Sequence, residues 1–306
     1  MTNNQAVRIH KFLAQWGIAS RRRIEEWISA GRVLLNNRRA KQGDALRETD
    51  EVLVLDIDAT KLYRATLRGV YDMQAKKWLH KGYEYWALNK PKGILSSASD
   101  PHHKKMVTHL IPSASRVFPV GRLDINSEGL ILLTTDGELC HRLTHPRFGV
   151  IKKYLVSLDW AVSHREIEKI EKGGIMLDDG PTLPAKVKTI SSRTLELSLR
   201  EGRKREIRRI FQKFGRKVIK LVRTEFGAIK LGNLAPGQAR RLSEKEVRLL
   251  KDAVGKGRAR KPHHFVEKKL TRKPMRRPES ARPGHGWKRR SNKSSARRTT
   301  RKGSLS

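Results

Sequence analysis

The 306-residue chain reads as an α+β protein with two folded units and a disordered basic tail. Three observations predict this. Near the N-terminus apolar residues recur at helical spacing and then alternate as strands do. From 84 to 250 strand patterns follow one another without regular helices between them, which favours an α+β sheet over a doubly wound one. After Val254 the composition shifts abruptly to Lys, Arg and Pro.

In the first unit Ile9, Phe12, Leu13 and Trp16 fall on one helical face, and Gly17 is a suitable stop. Ser20 can cap a second helix carrying Ile24, Trp27 and Ile28, which ends near Gly31. Val33 and Leu35 are two apart, as residues on one face of a strand are. Asn36-Asn37 can turn a hairpin because Asn tolerates positive φ. Gly43-Asp44 makes another turn, and 51–55 reads as a strand. The cluster Arg21, Arg22 and Arg23 opens the second helix, where positive charge opposes the helix dipole. A local conflict of that kind suggests phosphate binding, with a solvated face as the plainer alternative. The unit is placed at 7–66. Residues 67–83, of mixed charge and no clear period, are expected to be a linker.

In the larger domain, placed at 84–250, strands are expected at 85–88, 117–120, 129–134, 154–158, 185–190 and 195–199. Two segments break ordinary rules. The first is Val120-Gly121-Arg122-Leu123-Asp124-Ile125-Asn126-Ser127-Glu128-Gly129-Leu130, where a lone acid sits between two strands and two glycines. By composition alone an Asx-turn explains Asp124 well. The second runs from Glu201 to Phe211. Ile207, Ile210, Phe211 and Phe214 form a helical stripe closed by Gly215, and five of the seven residues from Arg203 to Arg209 are basic. On a helical wheel Arg208 falls at the edge of the stripe, within reach of a partly buried acid, while Arg209 points away. A basic solvated face remains the alternative.

The net charge is +38, from 68 Lys and Arg against 30 Asp and Glu. Such an excess repels itself unless a polyanion offsets it, and nucleic acid is the first candidate. The last 53 residues hold +17 of it, with few apolar residues and four prolines, and are read as a disordered tether for phosphate backbones (254–306). One cysteine, Cys140, excludes an intrachain disulfide and a Cys-cluster zinc site. No apolar run is long enough to span a membrane, and Met1 to Arg8 lacks the apolar core of a signal peptide. A cytoplasmic location without membrane attachment is expected. No phosphate-binding glycine loop, G-x-S-x-G or H-E-x-x-H occurs. His102-His103 lies in a polar loop with no cysteine and no metal-ligand spacing around it, so no metal site is expected.

The segment Ala19-Ser20-Arg21-Arg22 through Ile28, Gly31, Arg32 and Val33, with Asn36-Asn37 and Gly43-Asp44, resembles the S4 RNA-binding domain. That resemblance implies docking on folded RNA. Four later segments resemble, in order, the pseudouridine synthases of the RsuA/RluB class. They are Leu88-Asn89-Lys90-Pro91-Lys92-Gly93, Gly121-Arg122-Leu123-Asp124 with the run 129–139, Lys152-Lys153-Tyr154-Leu155-Val156, and the run 201–209. The resemblance implies a mixed, largely antiparallel catalytic sheet and isomerisation of a uridine without cofactor. It implies Asp124 as catalytic aspartate, Arg208 as its ion-pair partner and Tyr154 against the target base. Arg122, Leu123 and Leu199 would line the pocket. Arg21, Arg22, Arg23, Arg32, Lys90, Lys92, Arg203, Lys204 and Arg205 would contact RNA. The expected partner is ribosomal RNA, in a pre-ribosomal particle or as free 23S RNA, and the chain is expected to be a monomer. Ala40-Lys41-Gln42-Gly43-Asp44 and the basic tail are closest to the RluB type, which acts on large-subunit RNA. A small-subunit (RsuA-like) enzyme and a non-catalytic ribosome-assembly factor are the alternatives.

The tail makes a measurable contribution under this reading. Removing the residues after Val254 should weaken RNA binding and flatten its salt dependence, by about 0.7 to 0.9 in slope for every phosphate the tail neutralises. A salt titration of RNA binding by both forms checks this, and an unchanged slope would show the tail idle.

Overall fold

The computed structural model describes residues 6–79, 82–98, 100, 102 and 105–255. The expected tail therefore lies outside the described residues from 256 onward, as does His103. Residues 254 and 255 belong instead to the helix Glu244–Gly255, because Val254 is buried against the sheet.

The first unit forms as its pattern dictates. Helix Ile9–Gln15 buries Ile9, Phe12 and Leu13, and helix Arg21–Ser29 buries Ile24 and Ile28. The Ser20 side chain caps the second helix by accepting from the Arg23 N–H. Asn36 and Asn37 both take positive φ, 48° and 64°, and turn the chain between Val33–Leu35 and Arg38–Arg39. Val33–Leu35 also pairs with Val52–Leu55, antiparallel.

The stretch expected to be a linker is part of the fold. Strands Lys61–Thr66, Gly69–Asp72 and Lys77–Trp78 extend the same antiparallel sheet to six strands. Ala65 and Val70 are buried in the N-terminal core, while Lys61 and Arg64 stay exposed. With so few apolar side chains facing inward, the alternation is too faint to stand out from a mixed-charge linker.

The larger domain is one mixed sheet. Its strands run, edge to edge, Lys186–Ser191, Thr194–Leu199, Lys152–Leu158, Val218–Phe226, Glu128–Thr134, Tyr85–Lys90 and Ala239–Arg241, with Phe118–Val120 also on Glu128–Thr134. Neighbours are antiparallel except Glu128–Thr134 and Val218–Phe226, which pair parallel at Glu128–Val222 and Gly129–Arg223. Both faces are covered. Leu88, Ile131, Leu133, Tyr154 and Val156 pack on one side with Ile207, Ile210 and Phe211 of helix Glu206–Lys213. Ala87, Leu130, Leu132 and Phe226 pack on the other with Leu139 and Leu143 of helix Gly137–Thr144 and Leu250 of the last helix. Double coverage explains why 129–134 is a continuous apolar run rather than an alternating one.

At the parallel junction the backbones come very close. Gly129 has φ +99°, and a Cβ there would sit 2.4 Å from the Arg223 carbonyl oxygen and 2.7 Å from its nitrogen. Both are central-strand backbone atoms that cannot give way. Gly129→Ala is therefore expected to destabilise the fold by about 3 kcal/mol or more, read by denaturant unfolding. A variant within about 0.5 kcal/mol of wild type would contradict the close approach.

Candidate active site

The segment 121–127 leaves the strand Phe118–Val120 and returns into Glu128–Thr134, and its turn is held from several directions. Leu123 is buried; its N–H donates to Ser96 Oγ (3.1 Å) and its carbonyl accepts from the same hydroxyl (2.9 Å). The Ser127 N–H donates to the Asp124 carbonyl (2.9 Å), and the Gly93 N–H to the Ile125 carbonyl (2.8 Å). Lys90, fully buried at the end of its strand, donates from Nζ to the carbonyls of Ser127 (2.8 Å), Pro91 (3.0 Å) and Ile125 (3.3 Å). Burial pushes its ammonium down to about 8, against the opposing pull of Glu128 and Asp124.

This frame leaves the Asp124 side chain 30% exposed, with Arg208 Nε 4.0 Å from its Oδ2. Arg208 is itself fixed: Nη1 donates to the Val218 carbonyl (2.9 Å) and Nη2 to the Asn126 carbonyl (3.2 Å). Among the described residues its buried Nε has no hydrogen-bond partner, so Nε faces the carboxylate as a charge rather than as a donor. Burial lowers the Arg208 guanidinium from its ordinary value; Arg205 acts in the same direction and Asp124 opposes both. Arg209 points the other way, as the wheel predicts, and makes a two-pronged pair with Asp179 (2.9 Å each).

Leu123, Tyr154, Leu199 and Ile207 belong to one apolar core cluster. Tyr154 is nearly buried, on Lys152–Leu158 opposite Leu197 and Arg223. Arg122 is exposed at the loop's start. A carboxylate facing a fixed guanidinium beside an apolar, aromatic wall can act as a nucleophile or base toward a desolvated, uncharged substrate.

Three residues expected to touch RNA have partners within the protein. Lys90 is enclosed beneath the turn and cannot reach a ligand. Arg203 is spent on Glu201 (3.3 Å), Asp179 (3.1 Å) and the Gly180 carbonyl (3.0 Å). Arg32 donates to the Leu55 carbonyl and to Asp56 (3.1 Å each) and lies 5.2 Å from the Trp27 ring centroid. In each case carboxylates or carbonyls already satisfy the cation. Arg21, Arg22, Arg23, Lys92, Lys204 and Arg205 are exposed, although Arg23 is paired with Glu26 (2.8 Å).

Sequence reasoning missed three ionisable groups inside the domain, Arg223 and Glu206 buried and Lys152 partly so. Arg223 donates from Nε to the Leu130 carbonyl (2.6 Å), and its Nη2 is buried without a hydrogen-bond partner among the described residues. Lys152 is pushed down to about 8 by burial and then by Arg223. Glu206 is pushed up to about 8 by burial and then by Glu201. The available signal was a charged residue embedded in an apolar strand, as in Leu221-Val222-Arg223. Among the described residues no group of three or more His, Cys, Asp or Glu side chains is placed to hold a metal ion, and no helix is long and apolar enough to cross a membrane.

Two known families match parts of this chain. The family model described as RNA pseudouridylate synthase matches residues 84–213, and the S4 domain model matches 7–52. An RNA pseudouridine synthase of Aquifex aeolicus is 36% identical over 81% of this chain and 95% of that protein. The ribosomal large subunit pseudouridine synthase B of Bacillus subtilis is 33% identical over 82% of this chain and 98% of that protein. A crystal structure of a pseudouridylate synthase superposes with a TM-score of 0.55 at 27% identity, covering 80% of this chain and 99% of that one.

The buried lysines give a pH signature. Unfolded, Lys90 and Lys152 titrate at their ordinary 10.5; folded, at about 8. Below pH 8 both states are protonated and the full cost of burial is carried. Between about 8 and 10.5 the unfolded chain binds more protons, so stability should rise with pH across that window. Lys90→Met should remove its share of the rise, as read by urea unfolding at stepped pH. An equal rise in both proteins would contradict the buried ammonium.

Proposed function

Because the chain belongs to the RNA pseudouridylate synthase family and so isomerises uridine in RNA, we propose that its target is a specific uridine of 23S ribosomal RNA, with Asp124 as the catalytic carboxylate. The observation that carries the catalytic assignment is the fixed pair of Asp124 and Arg208, 4.0 Å apart on a turn whose backbone is bonded from three sides. The large-subunit activity named for the Bacillus subtilis relative supports the 23S target.

The reaction breaks the bond from uracil N1 to ribose C1′, turns the detached base and rejoins C5 to C1′, and the C5 proton leaves as N1 regains one. Substrate and product are isomers, so no donor or redox partner takes part. The Asp124 carboxylate acts on the ribose side, as nucleophile at C1′ or as base toward the sugar. Arg208 holds complementary charge beside it, an interaction that strengthens once bound RNA excludes water. Tyr154 stacks on the flipped uracil, as planar side chains do for splayed-out bases, and Leu123 and Leu199 close the apolar side. Exposed Arg122, Lys92, Lys204 and Arg205 reach the phosphates around the site, and Arg21, Arg22 and Arg23 dock the first unit on folded RNA.

Asp124→Asn is expected to lower pseudouridine formation on 23S transcripts by on the order of 10² to 10⁴-fold, with RNA affinity kept. Chemical labelling of pseudouridine reads the first and filter binding the second. Isomerisation at the wild-type rate would remove Asp124 from the chemistry.

A further inference from the structure

One large aromatic side chain is left mostly in solvent. Trp160 follows the strand Lys152–Leu158 and is 65% exposed. Its backbone is nonetheless pinned. Asp159 Oδ1 accepts from the N–H groups of Trp160 (2.9 Å) and Lys217 (2.8 Å), and the Asp159 N–H donates to the Lys217 carbonyl (3.1 Å). On the other side Leu158 N–H donates to the Arg193 carbonyl (2.9 Å) and Val162 N–H to that of Ser192 (3.3 Å). The Arg193 guanidinium stands 5.7 Å from the indole centroid. The backbone beneath the indole is thus held at both flanks, and the ring keeps an open face beside a guanidinium.

This platform is joined to the catalytic turn by a short path. Lys217, bonded to Asp159, precedes Val218, whose carbonyl accepts from Arg208 Nη1, and Arg208 faces Asp124. Around it Lys217 and Lys220 are exposed, as is Ile219 beside them. Asp159 spends one carboxylate oxygen on backbone N–H groups, and the nearby Glu166 is paired with Arg216 (3.5 Å). The surface thus offers an aromatic face and free cations.

We propose that Trp160, with Arg193, forms a stacking platform for an unpaired nucleotide flanking the target uridine. The proposal rests on the reading that this chain modifies RNA at Asp124. Extruding a base unstacks its neighbours, which costs a few kcal/mol. An exposed indole beside the site gives a neighbour a new face to stack on, whatever its identity, because every base has a π-face. Arg193 orders the indole from one side and pairs with the phosphate of the captured nucleotide.

The test uses the full chain and its W160A, W160F and R193A variants, with in vitro transcripts of 23S and 16S ribosomal RNA as probes. W160A should weaken binding of the modified transcript by about 5- to 150-fold and raise KM more than it lowers kcat. W160F should restore most of both. R193A should reduce the salt slope of binding by about 0.7 to 0.9, the share of one phosphate. Thermal unfolding of W160A should match wild type, since the indole is mostly in water. Equal KM and binding for W160A and wild type would overturn the proposal, as would a loss of self-association or of protein binding in its place. Filter binding needs no turnover, so a wild-type chain inactive on both transcripts would refute the ribosomal target and leave the platform separately judged.

Discussion

A single buried ammonium organises the turn that carries Asp124. Lys90 gathers the carbonyls of Pro91, Ile125 and Ser127 around one point, with no exposed surface of its own. A charge stripped of water is tolerated only with its donors satisfied, so the three acceptors must converge. Their convergence sets the path of 124–127 and thereby the direction of the Asp124 side chain. Arg208 completes the arrangement from the other side, bonded to Asn126 in the same turn and to Val218 in the sheet. The turn is thus clamped between an ammonium below and a guanidinium beside it, and Gly129 lets the chain leave it against the backbone of Arg223.

The positive charge of the chain serves unlike purposes. Arg32, Arg203, Lys90 and Arg223 are internal ties whose donors go to carbonyls, carboxylates or an aromatic ring. Arg21, Arg22, Lys92, Lys204, Arg205 and Lys217 face solvent. Composition points correctly to RNA but cannot separate the two groups, since both are written with the same letters.

Much of the fold is legible in the sequence because burial is periodic. The stripe Ile207, Ile210, Phe211 marks its helix, and Ser20 and Asn36-Asn37 mark a cap and a turn by local chemistry. The edge position of Arg208 follows from the helical wheel alone. Illegible parts have a common cause: the pattern depends on distant partners. Strand Gly69–Asp72 buries only Gly69 and Val70, so it resembles a linker until the sheet it joins is seen. Val218–Phe226, a central strand, is interrupted by Lys220 and Arg223. Lys90 looks like a surface cation because nothing local reveals the three carbonyls that bury it.

The central claim is that the clamped Asp124 turn isomerises uridine in large-subunit ribosomal RNA. The most direct measurement is pseudouridine mapping, at nucleotide resolution, of ribosomal RNA from cells with and without the gene. The account predicts that a defined 23S pseudouridine disappears with the gene and returns with the wild-type chain. A 23S pattern unchanged by its loss would contradict it.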